Sequence, residues 1–226
     1  KIQYLKKYSV KVTTNNSLAV SNTDIIFIAV KPSVVKEVTF EISGLIKNKL
    51  LVSVVATLSV KKLKANTHKD QRIIRIMPNL PVAYNKGVVG FFAGNNINTQ
   101  DEVRAIKILS SLGTIIKLKN EQKLDIITLV SACGPAIVSS FIEMLTNYAQ
   151  EKGLSKWVAS NAVMQTFIGT LDYLSQSDIS PPDFIQSVAT KGGVTEAILN
   201  NLSKEFKKNF AKSMEKGLIK IKTLNK

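Results

Sequence analysis

The residue types that most often carry enzyme chemistry are scarce in this sequence. Its 226 residues include one cysteine and one histidine, which excludes an internal disulfide and argues against a metal centre or a catalytic triad built on His or Cys. No run of eighteen apolar residues occurs, which argues against a membrane-spanning helix. The first residues also lack an apolar segment of signal-peptide length. We therefore expect a cytoplasmic protein without a bound metal and without a membrane partner.

Acidic residues are half as numerous as basic ones, and the excess of positive charge is uneven. The chain has 31 Lys and Arg against 16 Asp and Glu. Residues 1–119 contain 19 of the basic and 6 of the acidic residues, and residues 120–226 contain 12 and 10. A basic first half favours phosphate-bearing ligands such as a dinucleotide or a nucleic acid. Because aromatic residues do not alternate with the basic ones, a solvated lysine-rich surface explains the charge better than a nucleic-acid platform does.

The hydrophobic pattern divides the chain into two parts. Short β-branched runs alternate with amphipathic stretches up to residue 119, which indicates α/β units and a mainly parallel sheet. After residue 120 the pattern is helical alone, so we expect two domains, 1–119 and 120–226. The predicted strands are 24–30, 50–55, 72–77, 88–92 and 114–118. The predicted helices are 33–47, 59–67, 99–112, 121–130, 135–152, 155–175, 182–188, 194–201 and 204–224.

Two glycine-containing segments of the second half stand at predicted helix N-termini. Residues 131–136 open a long apolar helix. Residues 190–195 stand at the start of the next-to-last predicted helix, 194–201. A helix N-terminus offers free backbone N–H groups to a carboxylate or a phosphate, so the two segments indicate a small anionic substrate. Each segment also has a purely structural interpretation. For residues 131–136 it is helix capping with tight packing at Gly134, and for residues 190–195 it is a glycine-rich turn with an N-cap.

Two proline-containing segments of the first half follow predicted strands. Ala29-Val30-Lys31-Pro32 ends a strand that is apolar on both faces, and Met77-Pro78-Asn79-Leu80-Pro81 ends a later strand. Open α/β sheets bind ligands outside the carboxyl ends of their strands, so both segments are candidates for a cofactor site. A simple strand terminator and a rigid proline-framed loop remain the alternatives.

In their order and spacing, these four segments resemble the pyrroline-5-carboxylate reductase family, which catalyses the last step of proline synthesis. The family's segments read A-V-K-P, M-P-N-T-P, S-G-S-G-P-A and S-P-G-G-T-T, and the resemblance covers essentially the whole chain. It implies an α/β fold, with a Rossmann-type sheet domain followed by an all-α dimerisation domain. The family begins with a strand, a glycine-rich turn, a helix and a second strand. Since no G-x-G-x-x-G occurs here, we expect the sheet domain to be N-terminally incomplete.

The resemblance also implies a cofactor and a set of site residues. NADPH or NADH is the expected cofactor, and the region that would distinguish the two is largely absent. Thr195 is expected to be the catalytic donor near the ring nitrogen of the substrate, with glycine backbone groups on the substrate carboxylate. The expected cofactor-binding residues are Ala29, Val30, Lys31, Pro32 and Asn79. The expected substrate-binding residues are Thr190, Gly192, Gly193, Val194, Thr195 and Gly134.

Some positions depart from the family pattern. Leu80 and Val194 stand where the family has Thr, which removes two hydroxyl groups, and Lys191 replaces Pro. Cys133 stands where the family usually has Ser. Because no basic partner is near it in the sequence, we expect Cys133 to be a small buried residue rather than a nucleophile.

The implied activity is the reduction of 1-pyrroline-5-carboxylate to L-proline with hydride from NAD(P)H, by a homodimer or higher homo-oligomer whose subunits interlock through the helical half. Reduction of a cyclic imine needs few side chains, because the cofactor supplies the hydride and the protein holds the reactants together. Two alternatives stay open. One is a catalytically silent truncated homologue that folds and dimerises but binds cofactor poorly, and the other is a basic nucleic-acid-binding module.

Overall fold

The structure, a computed structural model, describes residue 5 and residues 8–224, apart from the side chains of residues 203 and 204. The chain forms two compact units. The first contains the residues up to Cys133 together with those from Leu218 onward, and the second runs from Gly134 to Gly217. The functional boundary expected between residues 119 and 120 stays a prediction.

Within the described residues, the first unit contains a five-stranded sheet in the order β1-β2-β3-β4-β5. The neighbouring pairs are parallel except for β3 and β4, which confirms the expected mainly parallel sheet. β3 and β4 are antiparallel because a short connection, with a 3₁₀ turn at Leu80–Tyr84 and Asn85 at φ 58°, leaves no room for a crossover. The strands are β1 (Ile25–Ile28), β2 (Leu50–Ser53), β3 (Arg72–Pro78), β4 (Gly87–Ala93) and β5 (Gly113–Lys117).

Three helices of the first unit begin after a side chain that caps them. Asn15, Ser59 and Asn98 each accept a hydrogen bond from a backbone N–H in the first turn of the helix that follows, which satisfies donors that have no partner inside the helix. A 3₁₀ turn at Pro32–Val34 precedes the helix Val35–Ile46. The helices are α1 (Asn16–Ser21), α2 (Val35–Ile46), α3 (Val60–Ala65), α4 (Thr99–Leu109) and α5 (Lys123–Ile127).

Both faces of the sheet are covered, which explains why its central strands are mostly apolar, with Ser53 and Arg75 as buried polar exceptions. Successive residues of a strand point to opposite faces, and two separate buried clusters result. One cluster joins α1, α2 and α3 to the sheet and the other joins α4 to it. The first includes Ile28, Val35, Ile42, Ile46, Leu51, Leu63 and Ile73. The second includes Leu50, Val52, Ile74, Ile76, Val89, Phe91, Ala105 and Leu109.

The second unit is helical. Its elements are α6 (Gly134–Glu151), α7 (Lys156–Gln176), α8 (Pro181–Val188) and the part of α9 up to Gly217, α9 as a whole being Val194–Leu224. The prediction of two helices, 194–201 and 204–224, was wrong. The sequence between them contains neither Gly nor Pro, so nothing there removes a backbone hydrogen bond or strongly disfavours helical dihedrals.

Candidate active site

The expected cofactor residues lie at the carboxyl edge of the parallel strands. Ala29, Val30, Lys31 and Pro32 follow β1 directly, and all but the half-buried Val30 are exposed. The Lys31 carbonyl accepts a hydrogen bond from Val34 N at 3.1 Å, which closes the 3₁₀ turn that Pro32 begins. The turn therefore presents exposed backbone and one lysine where open α/β sheets bind their ligands.

The segment after β2 lies beside this turn. Val54 N donates to the Ile28 carbonyl at 3.1 Å, so the parallel pairing of β1 and β2 continues one residue beyond β2. The carboxyl edge thus includes the segment after β2, which the sequence did not single out. Its only sequence signal is its position after a buried strand.

Asn79 lies at the same edge, directly after β3, and makes four hydrogen bonds, one of which its carbonyl accepts from Val82 N at 3.2 Å. Its backbone N donates to the Val88 carbonyl at 3.2 Å and its Oδ1 accepts from Val88 N at 2.8 Å, which holds the start of β4. Its Nδ2 donates to the Ser131 carbonyl at 3.1 Å. An amide nitrogen has two N–H bonds, so Asn79 can hold the hairpin and still offer one donor to a ligand.

A π-helical turn at Thr128–Ala132, which the sequence pattern did not reveal, connects α5 to Gly134. Cys133 N donates to the Thr128 carbonyl at 2.9 Å, the five-residue step that defines such a turn. The Ser131 hydroxyl donates to the Ile127 carbonyl at 2.8 Å. Cys133 directly follows this turn and is exposed in the single chain, so the expectation of a buried cysteine was wrong.

Gly134 is the first residue of α6. Among the described residues, no atom comes within 4 Å of the position that a Cβ would take there. Tight helix packing within one chain therefore does not account for this glycine. Its expected role at the substrate stays a prediction.

Of the remaining substrate residues, Thr190, Gly192 and Gly193 lie in the turn between α8 and α9, whose backbone needs both glycines. Val194 and Thr195 begin α9. Gly192 has φ +76°, a conformation that side chains disfavour. Gly193 N donates to the Thr190 carbonyl at 2.9 Å, and a Cβ on Gly193 would lie 2.7 Å from Thr190 Oγ1. The turn geometry alone therefore accounts for Gly192-Gly193, and a ligand is not needed to explain them.

A carboxylate already contacts this turn. Gly192 N donates to Glu196 Oε2 at 2.7 Å, so the backbone donor expected to bind a substrate carboxylate binds one from the chain itself. Thr195 is half-buried in the first turn of α9, and Val194 is 79% exposed. The turn thus has the geometry to hold a carboxylate, with the Thr195 hydroxyl one residue before the Glu196 carboxylate in the chain.

In the described ranges, no three His, Cys, Asp or Glu side chains are grouped closely enough to hold a metal ion. The expected cofactor residues all belong to the first unit, and the expected substrate residues all belong to the second.

Two family models match the chain. Residues 121–224 match pyrroline-5-carboxylate reductase dimerisation, and residues 1–57 match NADP oxidoreductase coenzyme F420-dependent. Among individual proteins, pyrroline-5-carboxylate reductase 2 of Bacillus subtilis is 32% identical over 201 residues, which are 89% of this chain and 72% of that protein.

Solved structures give the same result at the level of the fold. A pyrroline-5-carboxylate reductase from Coxiella burnetii superposes with a TM-score of 0.91 at 27% identity, covering 99% of this chain and 84% of that one. The Plasmodium falciparum pyrroline carboxylate reductase with NADP bound has a TM-score of 0.88 at 30% identity, covering 95% of this chain and 82% of that one.

Proposed function

Because this chain belongs to the pyrroline-5-carboxylate reductase family, we propose that it reduces 1-pyrroline-5-carboxylate to L-proline with hydride from NADPH or NADH. The observation that carries the proposal is the 32% identity with the Bacillus subtilis reductase across 89% of the chain. Catalysis of this kind needs no metal and no triad, because binding and orientation account for most of what the protein contributes.

The residues at the carboxyl edge fit the nicotinamide end of such a cofactor. The turn after β1 offers exposed backbone groups at Ala29 and Lys31, and Asn79 offers an amide donor. The Lys31 ammonium adds a positive charge suited to a phosphate. A bound reduced nicotinamide supplies the hydride. The sequence contains no G-x-G-x-x-G, so these residues offer no glycine-rich cradle for the pyrophosphate.

The turn between α8 and α9 would bind and orient the substrate. The backbone N–H of Gly192 would hold its carboxylate, in place of the Glu196 carboxylate that it contacts now. The N–H of Gly193, expected to share this role, instead donates to the Thr190 carbonyl and shapes the turn. When hydride adds to the carbon of the C=N bond, its electron pair forms the new C–H bond and the C=N π pair moves to nitrogen. That nitrogen must gain a proton, which the Thr195 hydroxyl would donate, the hydroxyl then regaining a proton from solvent water.

The helical unit would be the dimerisation surface. Among its described residues only Ala159 is buried, and large apolar side chains such as Trp157, Ile168 and Leu171 are exposed. An apolar surface of this extent indicates a protein partner, and a second copy of the chain is the partner that the match to the dimerisation family supports.

The same surface accounts for a stretch that resembles a membrane span. Lys123–Glu151 is long and apolar enough to cross a membrane, with a mean hydropathy of 1.7. Helices that lie in protein cores and interfaces meet the same criterion. Its first part, up to Cys133, belongs to the first unit, where Leu124 and Leu129 are buried. We assign its second part, α6, to the protein interface and place the protein in the cytoplasm, where a single unpaired cysteine is kept reduced.

The test is cofactor oxidation, followed by absorbance at 340 nm, with 1-pyrroline-5-carboxylate and each of NADH and NADPH. We expect turnover, and we expect Thr195→Ala to lower kcat by at least about 100-fold, the scale of a general acid. Thr223→Ala is the matched control, because this exposed threonine of the same helix donates only to the Ile219 carbonyl. A folded dimer without turnover would support the catalytically silent homologue instead.

A further inference from the structure

We propose that Arg75 is a positioning residue for the cofactor edge, acting through its ion pair with Glu121. The pair holds the β2–α3 loop, defined here as residues 54–59, in the orientation that presents its backbone N–H groups to the cofactor. This inference rests on the proposed function and assigns a role to two residues that touch neither substrate nor the hydride.

Arg75 occupies a position where packing alone would favour an apolar residue. It lies in the middle of β3 between Ile74 and Ile76 and is 5% exposed. Burying a guanidinium is costly unless it is paired and hydrogen-bonded. Its Nη1 donates to Glu121 Oε1 at 2.8 Å, and its Nη2 donates to the Ala56 carbonyl at 2.9 Å. A longer contact of 3.4 Å joins Nη2 to the Val55 carbonyl.

Glu121 secures the other end of the loop. The same Oε1 that accepts from Arg75 also accepts from Val60 N at 2.7 Å, and Val60 is the first residue of α3. Arg75 therefore holds the carbonyls at the start of the loop, and Glu121 holds the first N–H after it. One ion pair, formed by residues far apart in the chain, fixes both ends of the loop.

The pair also sets the direction of two backbone donors. In a planar trans peptide, the N–H of a residue points opposite to the carbonyl of the preceding residue. Since the Val55 and Ala56 carbonyls point at Arg75, the N–H groups of Ala56 and Thr57 point away from it. Ala56 is exposed and Thr57 is half-exposed. These two donors lie at the carboxyl edge, where Val54 N is bonded to the Ile28 carbonyl next to Ala29.

Arg72 provides a matched control on the same strand. It also forms an ion pair, with Asp101, and its second guanidinium nitrogen donates to the Asn48 carbonyl. Asn48 precedes β2, so this second pair lies at the amino ends of the strands, away from the cofactor edge. Arg72→Lys and Arg75→Lys therefore remove similar interactions at opposite edges of the sheet. A lysine keeps the charge, but its single nitrogen cannot reproduce the planar fork.

The experiment compares the full-length wild type with Arg75→Lys, Arg72→Lys and Glu121→Gln. Hydrogen exchange of the amides of residues 54–60 reports on the loop, and fluorescence titration with NADPH reports on the cofactor. Steady-state kinetics add the KM for NADPH and the KM for 1-pyrroline-5-carboxylate. We expect Arg75→Lys to speed exchange at Val54 and Val60, whose N–H groups are hydrogen-bonded at the two ends of the loop, and to raise the Kd and KM for NADPH by about tenfold. The KM for 1-pyrroline-5-carboxylate should stay the same, and Arg72→Lys should change none of these values.

If Arg75→Lys fails to fold, Glu121→Gln tests the role of the ion pair instead. The amide oxygen can still accept from Val60 N, while the charge that pairs with Arg75 is lost, so the same changes are expected at about threefold. The inference is overturned if folded Arg75→Lys, or folded Glu121→Gln, matches Arg72→Lys in loop exchange and in NADPH affinity. A wild-type chain that neither binds nor oxidises NADPH or NADH would instead overturn the proposed function, and the role of Arg75 with it.

Discussion

The sheet unit and the helical unit bury their apolar residues in different ways. In the first, strands and helices enclose two clusters of fully buried aliphatic side chains. In the second, long helices leave Trp157, Leu171 and many other large apolar side chains exposed, and Ala159 is the buried exception among the described residues. Hydrophobic burial is the main favourable contribution to folding. The first unit therefore has its own source of stability, whereas the second needs a partner to cover it.

The largest effect is expected in the sheet unit. Leu51→Ala, at a position that is 0% exposed, should lower the free energy of unfolding by about 3 kcal/mol, because it leaves a cavity in the core. Urea denaturation at two protein concentrations measures this loss. We expect the loss to be the same at both, since Leu51 belongs to the unit's own core. A loss that depends on concentration would show that the sheet unit also relies on a partner.

The next effect is expected in the helical unit and concerns assembly. Met164, Ile168 and Leu171 form an exposed apolar stripe along α7. Ile168→Lys should weaken the dimer by at least about 100-fold, because a buried isoleucine is worth about 3 kcal/mol and a lysine would place a charge in the interface. Light scattering across a dilution series measures the shift from dimer to monomer.

Thr166→Lys is the control for that variant. Thr166 lies on the opposite side of α7, since successive residues of an α-helix are 100° apart, and it is exposed. The variant Thr166→Lys adds the same charge to α7 as Ile168→Lys does, but outside the apolar stripe. Equal weakening by both variants would mean that net charge, and not the apolar stripe, controls assembly.

The smallest effect is expected when a glycine of the helical unit is replaced by alanine, and it should differ between Gly193 and Gly169. Gly193→Ala should raise the KM for 1-pyrroline-5-carboxylate by about tenfold, or about 1.4 kcal/mol, because a Cβ there would meet Thr190 Oγ1 at 2.7 Å. Gly169→Ala, with nothing within 4 Å of its Cβ position, should leave KM unchanged. It should stabilise α7 by about 0.5 kcal/mol, since alanine is the better helix former. Similar KM values for the two variants would contradict the proposed substrate turn.

The strands and most helices could be predicted from the sequence because their signals are local. β1, β2 and β3 are β-branched runs bounded by polar or proline-containing segments, and capping residues such as Asn98 mark helix starts. Periodicity cannot show whether a helix continues through a polar stretch, so α9 was predicted as two helices. It also cannot show a single inserted residue in a turn, so the π turn before Gly134 and the exposure of Cys133 were missed.

The candidate site likewise has a part that could be predicted from the sequence and a part that could not. The order and spacing of the four segments were enough to identify the family, and the resemblance implied the expected cofactor and the expected site residues from Ala29 to Thr195. The partners of Arg75, Asn79 and Gly192 could not be read in this way. Each depends on an atom brought close by folding: Glu121 beside Arg75, the Ser131 carbonyl beside Asn79, and the Glu196 carboxylate beside Gly192. Sequence patterns carry information about a residue's own backbone and burial, whereas the direction of a hydrogen bond is set by where the rest of the chain packs.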